Sequence, residues 1–400
     1  MRAFILAAGE GTRMWPLTDT RPKPMIPIIN KPIIEYVLDA VIDAGVDKIG
    51  ILIGYEGRRI VERYGNSYRG VKIDYVYQER RMGTGDAVLY AERFPEEKLV
   101  VINGDLLFDS KIISELLQYD NAVLGVYREH AEHYGLLVGA DTLEEIREKV
   151  PGSSGLVNAG IYVVSREIFK HLHNIAVSPR GELEFTDAIN SMVREREFKI
   201  VKHEGLWVDI GMPWDILEAT RSLLDIMSCE NHGIIEDGVH IHGKLCVGDG
   251  TRIMSGTYIE GPVYIGKNSK IGPNAYIRPY TVVGDNVHIG NSCEIKASVI
   301  MNNTKVPHFN YVGDSVIGEN CNLGAGTKIA NLRLDERNIR VSVKGKLVDT
   351  GRRKLGVIMG DDVHTGINVS IDVGTMLGAH TMIGPGARVR GKISTGTRIF

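Results

Sequence analysis

The chain has 400 residues, 43% of them hydrophobic and 24% charged, with a formal net charge of −3. That length exceeds one ordinary core and predicts two domains, and the slight acidity argues against an electrostatic nucleic-acid partner. No apolar run reaches the length that spans a bilayer, and four cysteines far apart, without ligand spacing, predict buried thiols in a reducing, cytoplasmic setting and not a disulfide frame or a zinc site.

In chain order, "MRAFILAAGEG" reads as a first buried strand and not as a leader, because its short apolar run ends in glycines. "KIGILIG", "IDYVYQ", "KLVVINGD" and "NAVLGVYRE" follow as further buried strands. "KPIIEYVLDAVIDAG" and "GDAVLYAERF" carry apolar residues at helical spacing between them, and "PWDILEATRSLLDIM" predicts one more helix. Such alternation predicts an α/β domain with a mostly parallel sheet, whose ligands gather at the carboxyl ends of the strands.

After about residue 235 the pattern changes. An aliphatic residue returns every sixth position from Ile241 through Val247, Ile253, Ile259, Ile265, Ile271, Ile277, Val283, Ile289, Ile295 and Met301. The next beat falls on Pro307, and the phase has moved at Ile317, Leu323 and Ile329. A hexapeptide repeat of this kind predicts a parallel β-helix, three short strands to a coil, each coil burying its apolar face only on its neighbours. A second run (Val357, Val363, Val369, then Leu377, Ile383, Val389) resumes after a basic interruption at 331–356, which predicts a β-hairpin arm. The expected division is 1–225 as the first domain, 226–236 as a linker and 237–400 as the second.

"LAAGEGTRMWPLTDTRPKP" places Gly9, Gly11 and Thr12 directly after the first strand, followed by Arg13 and Lys23. Glycines let backbone N–H groups close on a phosphate, and the two cations supply charge beside it. "GEGTR" and "RPKP" resemble the signature of the sugar-1-phosphate nucleotidylyltransferases over roughly residues 1–225. The resemblance implies a Rossmann-like domain in which a sugar phosphate oxygen attacks the α-phosphorus of a nucleoside triphosphate. Arg13 and Lys23 would hold the triphosphate and the attacking phosphate, and Asp105 ("VVINGDLLF") and Asp209 ("GLWVDIGMPWD") would hold Mg2+. Gln78 and Gly83 in "YQERRMGTGDA" would meet the base, with Arg81 where relatives specific for N-acetylglucosamine carry a second glutamine. Gly135, Glu148, Lys149 and Asn158 would meet the sugar. Asp109 and Asp215 read as helix caps.

Residues around the lost beat resemble the acetyltransferase half of the bifunctional N-acetylglucosamine-1-phosphate uridylyltransferases, whose β-helix is left-handed and trimeric. By spacing, His308 falls on the general base, Arg278, Lys296 and Tyr311 on sugar-phosphate contacts, and Asn322 and Asn331 on amino-sugar contacts. The "LGAGT" turn at Ala325 would receive acetyl-CoA and its oxyanion. Histidine suits the step, since only a free amine attacks a thioester. Two departures stand out: the "GRRK" insertion, read as a phosphate clamp or a solvated charge run, and Ile367 where the family has a serine near the acyl donor. The sequence leaves open UTP or dTTP, glucose-, N-acetylglucosamine-, glucosamine- or galactosamine-1-phosphate, and two rivals: a nucleotidylyltransferase on a scaffold β-helix, as in mannose-1-phosphate guanylyltransferases, and a non-catalytic nucleotide-sugar-binding subunit.

Overall fold

The computed structural model describes residues 1–400. They form two compact units: Met1–Glu10, Pro22–Met25 and Pro32–Asp209 make the first, and Gly11–Arg21, Ile26–Lys31 and Ile210–Phe400 the second.

The first unit is built on one sheet. Its strands are β1 (Arg2–Ala7), β2 (Lys48–Ile53), β3 (Val71–Tyr77) and β4 (Lys98–Asn103), parallel in the order β4-β1-β2-β3. β5 (Leu106–Phe108) follows β4, and β6 (Ala122–Arg128), β7 (Gly135–Val138), β8 (Glu145–Glu148) and β9 (Gly155–Ser165) extend the sheet. β9 runs antiparallel to β4, β6 and β7. β10 (Lys199–His203) lies parallel to β6, and β11 (Trp207–Asp209) pairs antiparallel with β5.

The five strands expected from apolar runs all form. Four of them read as continuous runs because both faces are largely buried, whereas β3 buries only Ile73 and Val76. Ala3, Ile5 and Ala7 face one core with Ile34, Val37 and Val41 of helix α1 (Ile33–Asp43). Phe4 faces the other core, together with Ala87 and Val88 of α2 (Thr84–Leu89) and Ile189 of α3 (Phe185–Met192). Asp109 does cap: its Oδ1 accepts the Lys111 N–H at 3.0 Å, and Asp215 Oδ2 accepts that of Met212 at 2.6 Å.

The second unit carries helix Asp215–Ile226 and then a left-handed parallel β-helix of three sheets, each strand pairing with its counterpart one coil on. Ile253, Ile271 and Ile289 stack in register, 18 residues apart and fully buried. Residues 226–236, read as a linker, already contain the first strand, Ile234–Ile235, paired with Arg252–Ile253.

The structure corrects the predicted beat. Ile300, not Met301, stacks on Val283, and Val306, not Pro307, stacks on Ile289. One corner residue is dropped between Ile295 and Ile300 and another between Val312 and Ile317, so each coil here takes 17 residues; Lys305 pairs with Asn322. The break is thus two tightened corners and not a bulge at His308. Further on, Met359, Thr365 and Ile371 pair with Ile317, Leu323 and Ile329, so Val357, Val363 and Val369 occupy a second inward layer two residues earlier. The first beat, Ile241, is 36% exposed because the end coil has a neighbour on one side only. The interruption contains the expected hairpin, Arg340–Val343 against Lys346–Asp349.

The cysteine expectation also needs correction. Cys229 and Cys246 are joined in a disulfide, with Cys293 and Cys321 buried and free. Two cysteines 17 residues apart need no ligand spacing to pair, only one turn of the coil, which sets Asn231 parallel to Val247. Reduction should lower the thermal midpoint of the second unit, with a cost of about 3 kcal/mol for a loop of this length. Melting with and without reductant, with Cys229→Ser as the reference, checks it: an unchanged midpoint refutes the contribution.

Candidate active sites

The carboxyl ends of all four parallel strands converge on a cavity of about 320 Å³ in the first unit, lined among others by Gly9, Leu52, Gln78, Arg81, Gly83, Asn103 and Asp105. Gly9 follows β1, and the direction a side chain would take there is open to 4 Å, leaving backbone accessible. Gln78 directly follows β3, its N–H bonded to the Ile53 carbonyl at 2.9 Å. β4 delivers Asn103 and then Asp105, with the Gly104 N–H on the Leu6 carbonyl at 2.9 Å.

Lys23 is 8% exposed and its Nζ is ion-paired with Asp105 Oδ2. The β5–β11 pairing sets Asp209 opposite Leu106, one residue from Asp105. Asp105 and Asp209 therefore lie on neighbouring chain segments one register step apart, and no cluster of three or more His, Cys, Asp or Glu forms there. Magnesium favours few carboxylates together with phosphate oxygens and water, so this donor set fits it.

Gly11 has a left-handed φ of 63° and opens the turn Thr12–Met14, which explains a glycine there. Thr12 and Arg13 are exposed; this stretch belongs to the second unit, where buried Arg21 pairs with Asp361 and, at 3.0 Å, with Glu319. Gly83 lines the cavity as well. The space its missing side chain leaves is filled by the Leu183 backbone, so the glycine serves packing of the cavity wall.

The sugar candidates are also gathered. Gly135 pairs with Glu148 in register, and a Cβ on Gly135 would lie 3.1 Å from Glu148 Oε1 and 3.6 Å from Asn158 Cβ. Glu148 Oε1 accepts Thr186 Oγ1 at 3.1 Å; Asn158 Oδ1 accepts the Gly160 N–H at 3.1 Å beside a bulge in β9. Lys149 follows in a left-handed conformation at φ 52°, exposed.

In the second unit the candidates fall on two faces. Ile277, Ile295, Val312 and Ile329 point inward, so Arg278, Lys296 and Tyr311 point out from one sheet, and Asn331 sits at its far corner. Lys296 Nζ pairs with Asp314 Oδ2 at 3.1 Å, and Asn331 Nδ2 donates to the same oxygen at 2.6 Å. Arg278 pairs with Glu294 at 2.9 Å, and that hydrogen bond raises its pKa against burial. Gly313 makes this cradle possible: a Cβ there would lie 2.7 Å from Tyr311 Oη and 2.6 Å from Asn331 Nδ2.

His308 is exposed at the near corner of this face, its carbonyl accepting the Gly326 N–H at 2.9 Å, so Ala325 stands one coil above it. The imidazole is not packed inside the coil stack. Asn322 lies instead on the adjacent sheet, beside Lys305 and His364. His288 is half-buried, and burial, then Lys270, His308 and Lys305, hold its pKa below the usual value. Of the "GRRK" cations, Arg353 is tied to Glu336 at 2.6 Å.

Sequence reasoning missed two carboxylates. Asp314, 7% exposed, ties Lys296 to Asn331; its signal was a charged residue in the buried "YVGDS" strand end. Asp86 holds the Gln78 amide at 2.8 Å, and its signal was the eight-residue spacing within "QERRMGTGD".

The comparisons agree with these two constructions. A family model described as nucleotidyl transferase matches residues 2–226, and one described as GMPPB C-terminal domain matches 259–382. A Sulfurisphaera tokodaii protein named bifunctional sugar-1-phosphate nucleotidylyltransferase/acetyltransferase is 45% identical over 404 residues, covering 99% of each chain. The Methanocaldococcus jannaschii bifunctional protein GlmU is 43% identical over 403 residues, covering 100% of this chain and 97% of its own. A crystal structure of UDP-glucose pyrophosphorylase complexed with UDP-glucose matches 55% of this chain and 96% of its own, with 26% identity and a TM-score of 0.51. The fold and sites define a nucleotidyl transferase joined to a β-helix. The chain belongs to the bifunctional sugar-1-phosphate nucleotidylyltransferase/acetyltransferase family, and is a transferase.

Proposed function

We propose that the first cavity transfers a nucleoside monophosphate from UTP or dTTP to a sugar-1-phosphate, N-acetylglucosamine- or glucose-1-phosphate, and that the β-helix acetylates glucosamine-1-phosphate, with galactosamine-1-phosphate as a further acceptor, from acetyl-CoA. The observation that carries the first reading is the ion pair of buried Lys23 with Asp105 of the cavity wall. Asp105 and Asp209 would hold Mg2+, which when bound neutralises charge on the triphosphate. Lys23 would grip phosphate oxygens, and Gly9, Gly11, Thr12 and Arg13 would border the chain of phosphates. A sugar phosphate oxygen then bonds to the α-phosphorus as the bond to the β-phosphate oxygen breaks and pyrophosphate leaves. Alignment and charge suffice for such transfer. Gln78 and Gly83 would border the base, and Gly135, Glu148, Lys149 and Asn158 the sugar.

The second reading rests on the Lys296–Asp314–Asn331 cradle beside Tyr311, with an exposed imidazole at its edge. Arg278, Lys296 and Tyr311 would take the sugar phosphate. His308 would remove a proton from the ammonium, the freed nitrogen would bond to the thioester carbon, and the thiolate of CoA would leave while the Ala325 turn holds the oxyanion. Asn322, on the adjacent face, and Asn331 would meet the amino sugar. A cytoplasmic homotrimer brings unlike faces of neighbouring copies together; a monomeric mass in solution refutes it.

Pyrophosphate release from a panel of triphosphates and sugar-1-phosphates, and CoA release with glucosamine-1-phosphate, test the two halves separately. Absence of CoA release favours the scaffold reading, to which the GMPPB C-terminal domain match also points. Gly313→Ala should depress CoA release by about tenfold or more, since it displaces Tyr311 and Asn331; pyrophosphate release should persist. Equal loss of both would show general damage instead.

A further inference from the structure

We infer that Asp86 is a positioning residue that sets the base specificity of the first cavity, turning Gln78 so that it accepts from an imide N–H and thereby selects uracil and thymine over cytosine. The inference rests on the nucleotidylyl-transfer reading of that cavity and deepens it.

Gln78 is 6% exposed, and its Nε2 donates to Asp86 Oδ2 at 2.8 Å. A side-chain amide can be turned either way, but its surroundings decide here. A carboxylate has only acceptor oxygens, so the amide NH2, and not the carbonyl, must face Asp86. Oε1 is thereby left as the acceptor presented by Gln78, which lines the cavity.

Neither partner is free to drift. Gln78 is anchored by its backbone N–H on Ile53, at 2.9 Å. Asp86 lies in the first turn of α2, whose entry is fixed by two backbone bonds, Leu183 N–H to the Met82 carbonyl at 2.6 Å and Gly85 N–H to the Leu183 carbonyl at 2.7 Å. The packing of Leu183 into the space left by Gly83 holds the same segment. Sequence alone shows Gln78 as a residue able to donate or accept; the aspartate eight positions on removes that ambiguity.

The chemistry of the bases supplies the rest. Uracil and thymine carry a proton on N3 and so offer a donor to Oε1. Cytosine has a lone pair at N3, which faces Oε1 as a second acceptor. A buried site built for one pattern rejects the other because it leaves its own polar group unpaired. With Asp86 removed, the Gln78 amide can rotate and offer either end.

The experiment uses the full-length enzyme, N-acetylglucosamine-1-phosphate or glucose-1-phosphate as acceptor, whichever the wild type turns over, and UTP, dTTP and CTP as donors. Asp86→Ala should lower the UTP-to-CTP ratio of kcat/KM by about tenfold or more, by loss on UTP, gain on CTP or both. A merely structural role would depress all three donors together and leave the ratio unchanged, and that result overturns the inference. Circular dichroism and the thermal midpoint report that each variant is folded. Should Asp86→Ala fail to fold, Asp86→Asn is read in the same way, because its amide can face Gln78 by either end and equally frees the rotation. A wild type that uses no pyrimidine triphosphate refutes the reading of the cavity itself. A wild type selective for UTP or dTTP whose variants keep the full ratio refutes only the role of Asp86.

Discussion

Asp105→Asn should cut pyrophosphate release by about 10²–10³-fold while CoA release is unchanged. The substitution keeps the size of the side chain and an oxygen that Lys23 can still meet, so the buried ammonium is not left without a partner. What it removes is charge. One of the two carboxylates proposed to hold the divalent cation is then missing, and Lys23 loses its charged partner. Asp105→Ala is the harsher variant, since it strands a buried cation and so risks the fold as well as the activity. Chelation of divalent metal in the wild type should reproduce the same separation of the two activities. Parallel loss of CoA release in folded Asp105→Asn protein would contradict independent sites.

Much of this architecture was legible because its periods are simple. Apolar runs such as "FILAA" and "LVVIN" mark strands buried on both faces, and a six-residue recurrence marks stacked coils. Corner geometry was not legible. Dropping one residue between Ile295 and Ile300 leaves Met301 and Pro307 looking like beats, and only the register with Val283 and Ile289 reveals Ile300 and Val306 as the inward residues. The Cys229–Cys246 bond was missed for a related reason, since spacing along the chain says nothing about which loop returns.

The candidate sites show the same division. Residues set by a motif next to a strand end, such as Gly9, Gln78 and Asp105, do line one cavity. Gly83 lines it too, but the reason for its glycine lies in Leu183, a hundred residues away in the chain. Asp86 and Asp314 touch other side chains, and a carboxylate whose work is to orient a neighbour leaves no mark beyond being charged where burial is expected. Such residues become visible only with the hydrogen bonds.

His308→Ala should lower CoA release by about 10²–10⁴-fold, the usual range for loss of a general base, with pyrophosphate release intact. The position favours chemistry over packing: the ring is exposed at a strand end, while the interior of that coil is completed by Val306 and Val312 without it. Its removal therefore opens no core cavity, and the melting behaviour should hardly move. The pH profile separates a base from a simple binding contact. As pH rises, more of the amino sugar is already unprotonated, so less depends on a residue that removes the proton. The deficit of His308→Ala should accordingly shrink toward alkaline pH, whereas a lost binding contact would leave a deficit that does not narrow. A variant that still acetylates at the wild-type rate near neutrality would remove His308 from the reaction and leave the Lys296–Asp314–Asn331 cradle as a binding face without a base.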